Sequence, residues 1–214
     1  MAAGDIARYE ETLELLRTRR SVRRYTDEPV EAELVEKLVE AARWAPSAGN
    51  RQSWRILAIT GRDLISSLAE AVTSRVDEVR DDLRPSVARQ VGGYLDSFSV
   101  FSRAPLVMAF IHRGGVDMIR AARRSGAETP GLDPEASALA SAAAAIENML
   151  IAAHALGLGA CWMTGPLLAE QELAALLEVP TGWRLTALVP VGWPAESPEP
   201  PARRSVERLL RRVG

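Results

Sequence analysis

The chain has 214 residues, an apolar fraction of 47% and a formal net charge of −2. That length suits one sizeable domain, and the composition builds a packed core without disulfides or metals. The near-neutral balance excludes a protein devoted to neutralising phosphate backbones, while one cysteine (Cys161) and two distant histidines (His112, His154) offer neither a disulfide framework nor a zinc ligand set.

Taken in chain order, Met1–Glu10 is acidic and lacks an apolar stretch, which is not a signal peptide and makes the cytoplasm the expected location. Residues 5–18 read as a helix, with Asp5 as a possible N-cap and Leu13 and Leu16 on one face. Glu31–Trp44 is a clearer helix, because Leu34, Leu38 and Ala42 recur every four residues and Pro46 stops it. Trp54–Thr60 (WRILAIT) is a short apolar run of the kind that forms a buried strand, and Leu64, Leu68 and Val72 mark the next helix. Residues 75–103 pass from charged to aromatic and predict helix with a break near Pro85 or Gly92–Gly93. Leu106–His112 (LVMAFIH) predicts a second buried strand.

Residues 113–134 hold four glycines and two prolines and read as a long loop. Ala136–Leu156 predicts a long, alanine-rich helix. Glu147, Asn148 and His154 interrupt its apolar character, so it reads as a central core helix and not as a membrane span. Gly157 and Gly159 end it. A short run at Ala160–Met163, a helix at Ala169–Leu177 and a strand at Leu185–Val191 follow, then an extended Trp193–Pro201 and a basic helix over Ser205–Val213. Helices and buried strands intermixed in this order predict an α/β or α+β layered domain. The closing arm buries little by itself and needs something to pack on, for which a partner subunit is a candidate.

Four stretches carry groups suited to chemistry. Arg19, Arg20, Ser21, Arg23 and Arg24 follow a helix and can be an anion site or a solvated basic face. Pro46, Ser47, Asn50, Arg51 and Gln52 form a polar turn; their amides suit a heteroaromatic ring, and equally suit capping of their own loop. In Gly157–Pro166 the Gly-x-Gly follows a helix, and Trp162 stands where a third glycine belongs. The dinucleotide fingerprint therefore fails, and helix termination with close backbone approach explains the glycines. Arg203 and Arg204 follow the proline-rich arm. Nearly all the basic residues are arginine, Lys37 being the one lysine, and guanidinium forks suit phosphate or carbonyl oxygens.

Together these stretches resemble one family. "RRSVRRY", then "PV", then "AARWAPSAGNRQSWR" is similar to the opening of the FMN-dependent nitroreductases, and "AIENMLIAAHALGLGACWMTGP", "LVPVGWP" and a late "RR" are similar to its second half. The resemblance runs from about Leu15 to Arg204. It implies a three-layer α/β/α fold of the α+β class, in which helices flank a mixed, mainly antiparallel sheet. Residues 1–214 would form one domain, with 193–214 as a C-terminal arm on the partner of a homodimer. It implies FMN at the subunit interface, with NAD(P)H as transient donor and a small-molecule acceptor such as a nitroarene, quinone or enone.

By the same resemblance, Arg19, Arg20 and Ser21 would hold the phosphate and ribityl chain, and Arg203 or its neighbour Arg204 would complete the phosphate site. Arg23 would lie at the N1/O2 edge of the ring, where relatives often carry lysine. Pro46, Ser47, Asn50 and Gln52 would reach the flavin from the partner subunit. Met163, Thr164 and Gly165 would run past the ring near N5; some relatives carry glutamate at the position of Thr164. Hydride would pass through the flavin with ping-pong kinetics and no acid–base dyad. Cys161 reads as a packing residue. Within the same fold the alternatives are an oxygen-using, flavin-fragmenting or double-bond-reducing flavoenzyme, or a flavin-binding protein without turnover.

Overall fold

A computed structural model describes residues 3–114, 122–128 and 133–214. At its centre lie four strands: β1 (Trp54–Ile59), β2 (Leu106–His112), β3 (Gly159–Ala160) and β4 (Arg184–Gly192), in the order β1-β2-β4-β3 with every neighbouring pair antiparallel. One parallel bridge, Ser21 to Ala160, continues the sheet beyond β3 and makes it mixed.

The reason for the uninterrupted apolar run in β2 is visible in its surroundings. Leu106, Met108 and Phe110 face one helical layer and Val107, Ala109 and Ile111 face the other, so both faces of the strand are covered. The first layer is α2 (Ala32–Arg43) with α5 (Pro134–Ala155). Leu38 and Ala42 of α2 are fully buried, and Asn148 of α5 donates to the Ala41 carbonyl at 3.2 Å. The second layer is α3 (Arg62–Asp82), α4 (Pro85–Asp96), a 3-10 segment at Ser97–Arg103 and α6 (Glu170–Leu176). In α3, Ile65, Leu68, Val72 and Val76 are buried at helical spacing. The expected α/β/α layering is therefore present.

Helix α5 is long and apolar enough, by length and composition, to cross a membrane. Here it packs as the core helix, with Ala142, Ala145, Ile146 and Met149 fully buried. The side chain of Asp133 caps it by accepting from the Glu135 amide at 2.9 Å.

Several boundaries differ from the sequence expectations. Helix α1 (Ala3–Thr18) already includes Asp5 in its first turn, so Asp5 is not the N-cap. The break after α3 falls at Pro85, which opens α4 at a position that needs no amide hydrogen, whereas Gly92 and Gly93 continue the helix. Of the run Ala160–Met163 only Ala160 belongs to a strand, and Met163 makes a single bridge to Leu188. The last helix, α7, is the four residues Val206–Leu209 and does not reach Val213; its apolar side chains Val206 and Leu209, and Leu210 and Val213 beyond it, are exposed. Of the expected loop at 113–134, residues 115–121 and 129–132 lie outside the described residues, while Ala122–Arg124 is helical.

Register slips once, between Phe110 and Ile111 of β2, where Thr186 of β4 is the additional residue. The bulge places the Thr186 hydroxyl 2.8 Å from Nδ1 of the buried His112, whose Nε2 is 2.8 Å from the Glu135 carboxylate. Both nitrogens of this buried ring thus have partners. Thr186→Val leaves Nδ1 without a partner and is expected to cost about 1–3 kcal/mol in urea unfolding, with Thr186→Ser recovering most of it. Equal stability of all three proteins would refute this role for the hydroxyl.

Candidate functional site

The site begins where α1 ends. The segment after α1 pairs first with β3 and then with the residues that follow β4: the Val22 amide donates to Ala160 O at 3.0 Å, the Thr26 amide to Trp193 O at 2.9 Å, and the Ala195 amide to Arg24 O at 2.9 Å. Val22 points inward and is buried. A Cβ on Gly159 would lie 2.7 Å from Val22 Cγ1, so the close approach requires glycine there. Gly157 has φ +77 and ends α5, with the Leu158 amide donating to Ala153 O at 2.8 Å. These are the two roles expected of the Gly-x-Gly.

With Val22 buried, the polar side chains of the segment gather on the surface. Arg19, Arg20, Ser21 and Arg23 join Pro198, Glu199, Pro201 and Arg203 of the arm around a cavity of about 250 Å³. Arg20 is fixed by donating Nη1 to Arg17 O (2.6 Å) and Arg19 O (2.7 Å), and Arg19 sits 3.7 Å from Glu147 of α5. Four arginines and one acidic residue, Glu199, line this cavity. Arg204 is exposed and does not line it, which separates the two neighbours.

A second cavity of about 170 Å³ shares Arg23 with the first. It is lined by Cys161–Gly165 and by Tyr94, Ser97 and Phe98. Its backbone wall is pinned to β4: Met163 and Leu188 exchange two 3.0 Å hydrogen bonds, and Cys161 N donates to Pro190 O at 3.3 Å. Phe98 braces the next turn, since a Cβ on Gly165 would lie 2.3 Å from its ring, and Tyr94 meets Phe98 edge to face at 4.9 Å. Trp162 brings a buried indole N–H that has no hydrogen-bond partner among the described residues.

Thus Arg19, Arg20, Ser21, Arg23, Met163, Thr164, Gly165 and Arg203 are brought together. Pro46, Ser47, Asn50 and Gln52 line neither cavity. Their turn caps itself: Ser47 Oγ accepts from Gln52 N at 3.0 Å, and Gln52 Nε2 donates to Asn50 Oδ1 at 3.3 Å. Gly49, Asn50 and Gln52 all have left-handed φ (61, 53 and 47), a geometry that is costly outside glycine. Sequence reasoning singled out none of Tyr94, Phe98, Glu196 or Glu199. An aromatic pair at i, i+4 was the one readable signal for the first two.

Burial sets the local ionisation. It pushes the Cys161 thiol up against the opposing pull of Arg23, and it keeps the Tyr25 phenol protonated while that hydroxyl donates to Val22 O. His154 is shifted down by burial and then by Arg19 and Arg20, so the neutral ring is favoured beside Thr18. Folded pKa values raised above the unfolded ones mean that stability is complete below the ordinary thiol range and falls as pH rises past about 8.5. The urea midpoint is therefore expected to decline between about pH 8 and pH 10, and native Cys161 to resist thiol reagents until the protein unfolds. Rapid labelling of the native thiol at neutral pH would contradict both statements.

The chain matches the model of the nitroreductase family over residues 16–193. It is 31% identical to an NADH dehydrogenase of Thermus thermophilus over 199 residues (90% of this chain, 91% of the relative). It is 30% identical to a 5,6-dimethylbenzimidazole synthase of Rhodospirillum rubrum over 182 residues (85% and 81%). Among solved structures it is similar to a BluB-like flavoprotein from Clostridium difficile, with a TM-score of 0.83, 25% identity and coverage of 94% and 98%. Nitroreductase A from Vibrio parahaemolyticus shares the fold, with a TM-score of 0.71, 19% identity and coverage of 95% and 75%. With the family match spanning most of its length, the chain belongs to the nitroreductase family of oxidoreductases.

Proposed function

We propose that the protein is a homodimeric, FMN-dependent NAD(P)H oxidoreductase acting on a small organic acceptor such as a nitroarene, quinone or enone. The observation that carries this reading is the pair of cavities joined at Arg23, one cationic and one walled by a pinned backbone segment. FMN has the matching halves, a phosphate on a flexible polyol and a flat ring. Guanidinium forks of Arg19, Arg20 and Arg203 with the Ser21 hydroxyl suit the phosphate end. When bound, FMN would supply the hydride chemistry, and a single bound flavin serving donor and acceptor would give ping-pong kinetics.

The chain's own residues do the rest. Arg23 holds positive charge at the junction, where the reduced ring gains negative charge. The Met163–Gly165 backbone, braced by Phe98, sets the height of the slot and keeps water from one side. A second copy would bring Pro46, Ser47, Asn50 and Gln52 to the ring. It would also cover apolar groups that the single chain exposes: Tyr9 and Leu16 on α1, Trp44 after α2, and Val206, Leu209 and Val213 in the arm. An enzyme fed by NAD(P)H works where that nucleotide is plentiful, which favours the cytoplasm.

A second reading, a specialised flavin-fragmenting enzyme, draws support from the likeness to the benzimidazole synthase and the BluB-like flavoprotein. One experiment addresses both. Purified protein is dialysed, saturated with FMN and given NADH, then NADPH, anaerobically; the flavin band should bleach with one of them and return with a quinone. Failure to take up FMN overturns the proposal, and permanent loss of the flavin spectrum under oxygen selects the second reading.

Arg203→Ala should weaken FMN binding about tenfold or more, the loss expected of one charge-assisted phosphate contact, while Arg204→Ala should leave it nearly unchanged. Equal effects would remove the distinction that the cavity draws between them. Arg23→Ala should lower the flavin midpoint potential and slow reduction by the nicotinamide more than it weakens FMN binding. An unaltered potential would exclude Arg23 from the ring's edge.

A further inference from the structure

The arm that carries Arg203 reaches the basic segment through one side chain. Glu196 Oε1 accepts hydrogen bonds from two successive backbone amides, Arg23 N at 2.6 Å and Arg24 N at 3.1 Å, and its Oε2 lies 3.9 Å from Arg24 Nε. In a regular strand successive amides point to opposite sides. Here both converge on one oxygen, forming a small concave anion seat that the arm itself fills. Removing the carboxylate orphans two donors beside the site. Just before it, Ala195 N bonds Arg24 O and Tyr25 bridges to Pro194; just after it come Pro198, Glu199, Pro201 and Arg203 of the cavity wall. Prolines on both sides of Glu196 limit how else the arm could run. The charge is also felt nearby: burial chiefly raises the pKa of Tyr25 and of Cys161, and Glu196 adds to both in the same direction.

We propose that Glu196 is a positioning residue of the site: by filling the Arg23–Arg24 amide seat, it sets the direction of Arg23 and seats the arm that presents Arg203. The ligand identity rests on the FMN reading above; the seat itself does not. What matters at position 196 is the acceptor and not the charge, because a negative group there opposes a phosphate a few residues away.

The test uses the full-length protein and the variants Glu196→Ala and Glu196→Gln, with two readouts. The first, without flavin, is hydrogen exchange at individual amides. In Glu196→Ala, Arg23 and Arg24 should exchange about tenfold faster or more, whereas Val22 and Thr26, bonded to Ala160 and Trp193, should hold their protection and certify the fold. Glu196→Gln keeps a carbonyl acceptor and should keep both amides protected. The second readout is FMN titration: Glu196→Ala should bind on the order of tenfold more weakly, and Glu196→Gln at least as tightly as the parent protein. Unchanged exchange in Glu196→Ala overturns the seat. A Glu196→Gln protein that loses FMN as fully as Glu196→Ala assigns the effect to charge and overturns the positioning role. If exchange responds as expected but the parent protein takes up no FMN, the seat stands and the FMN reading fails.

Discussion

The site depends on how closely a side chain can approach a backbone. Val22 packs into the space that a Cβ of residue 159 would occupy, and its amide bonds Ala160. This contact turns the stretch after α1 into a sheet edge. It buries one side chain of that edge and leaves Arg19, Arg20, Ser21 and Arg23 to gather on the other side. A bulkier residue at 159 would lift the segment and carry Arg19, Arg20 and Arg23 away from the Arg203 side of the cavity. The sheet supplies the rigidity: β3 is short, but it is fastened to β4, and β4 to a β2 covered on both faces. A charged site assembled from surface residues thereby inherits the stiffness of the core.

Concentrating like charge in this way has an electrostatic cost that the fold meets locally. Arg20 turns one nitrogen onto two backbone carbonyls, Arg19 leans toward Glu147, and Glu199 stands in the cavity wall. Each contact is modest for an exposed pair. Their combined effect is to restrain the side chains of Arg19 and Arg20. The neutral forms favoured for Cys161 and Tyr25 belong to the same economy of charge, since neither adds an anion under the basic segment.

How far the sequence could be read follows from the range of the interactions. Strand β2 was legible because burial on both faces writes an unbroken apolar run, and α2 because its apolar residues repeat at helical spacing. Strand β1 was found as a strand, but it is an edge strand with Arg55 and Ala58 exposed and only Ile59 buried, not the buried strand expected. Of the two candidate breaks, Pro85 is the one the chain uses, while Gly92 and Gly93 stay helical at a penalty of about 1 kcal/mol each. The terminal helix was overextended because Leu210 and Val213 supply periodicity but find no surface to cover. In the site, Arg19 to Arg23 and Arg203 were legible as residue types suited to an anion. Glu196 was not: its partners lie 173 and 172 residues away, and no local spacing encodes that pairing.

The cationic cavity is built from arginine alone. Lys37, the chain's single lysine, sits on an exposed turn of α2, paired with Glu33 at 2.8 Å and absent from the cavity lining. Guanidinium groups keep their proton throughout the pH range in which a protein stays folded. Acylating agents that neutralise amines have no side-chain target in the cavity. The positive charge of the pocket is therefore out of reach of acetyl transfer, which acts on amines and finds none among the lining side chains.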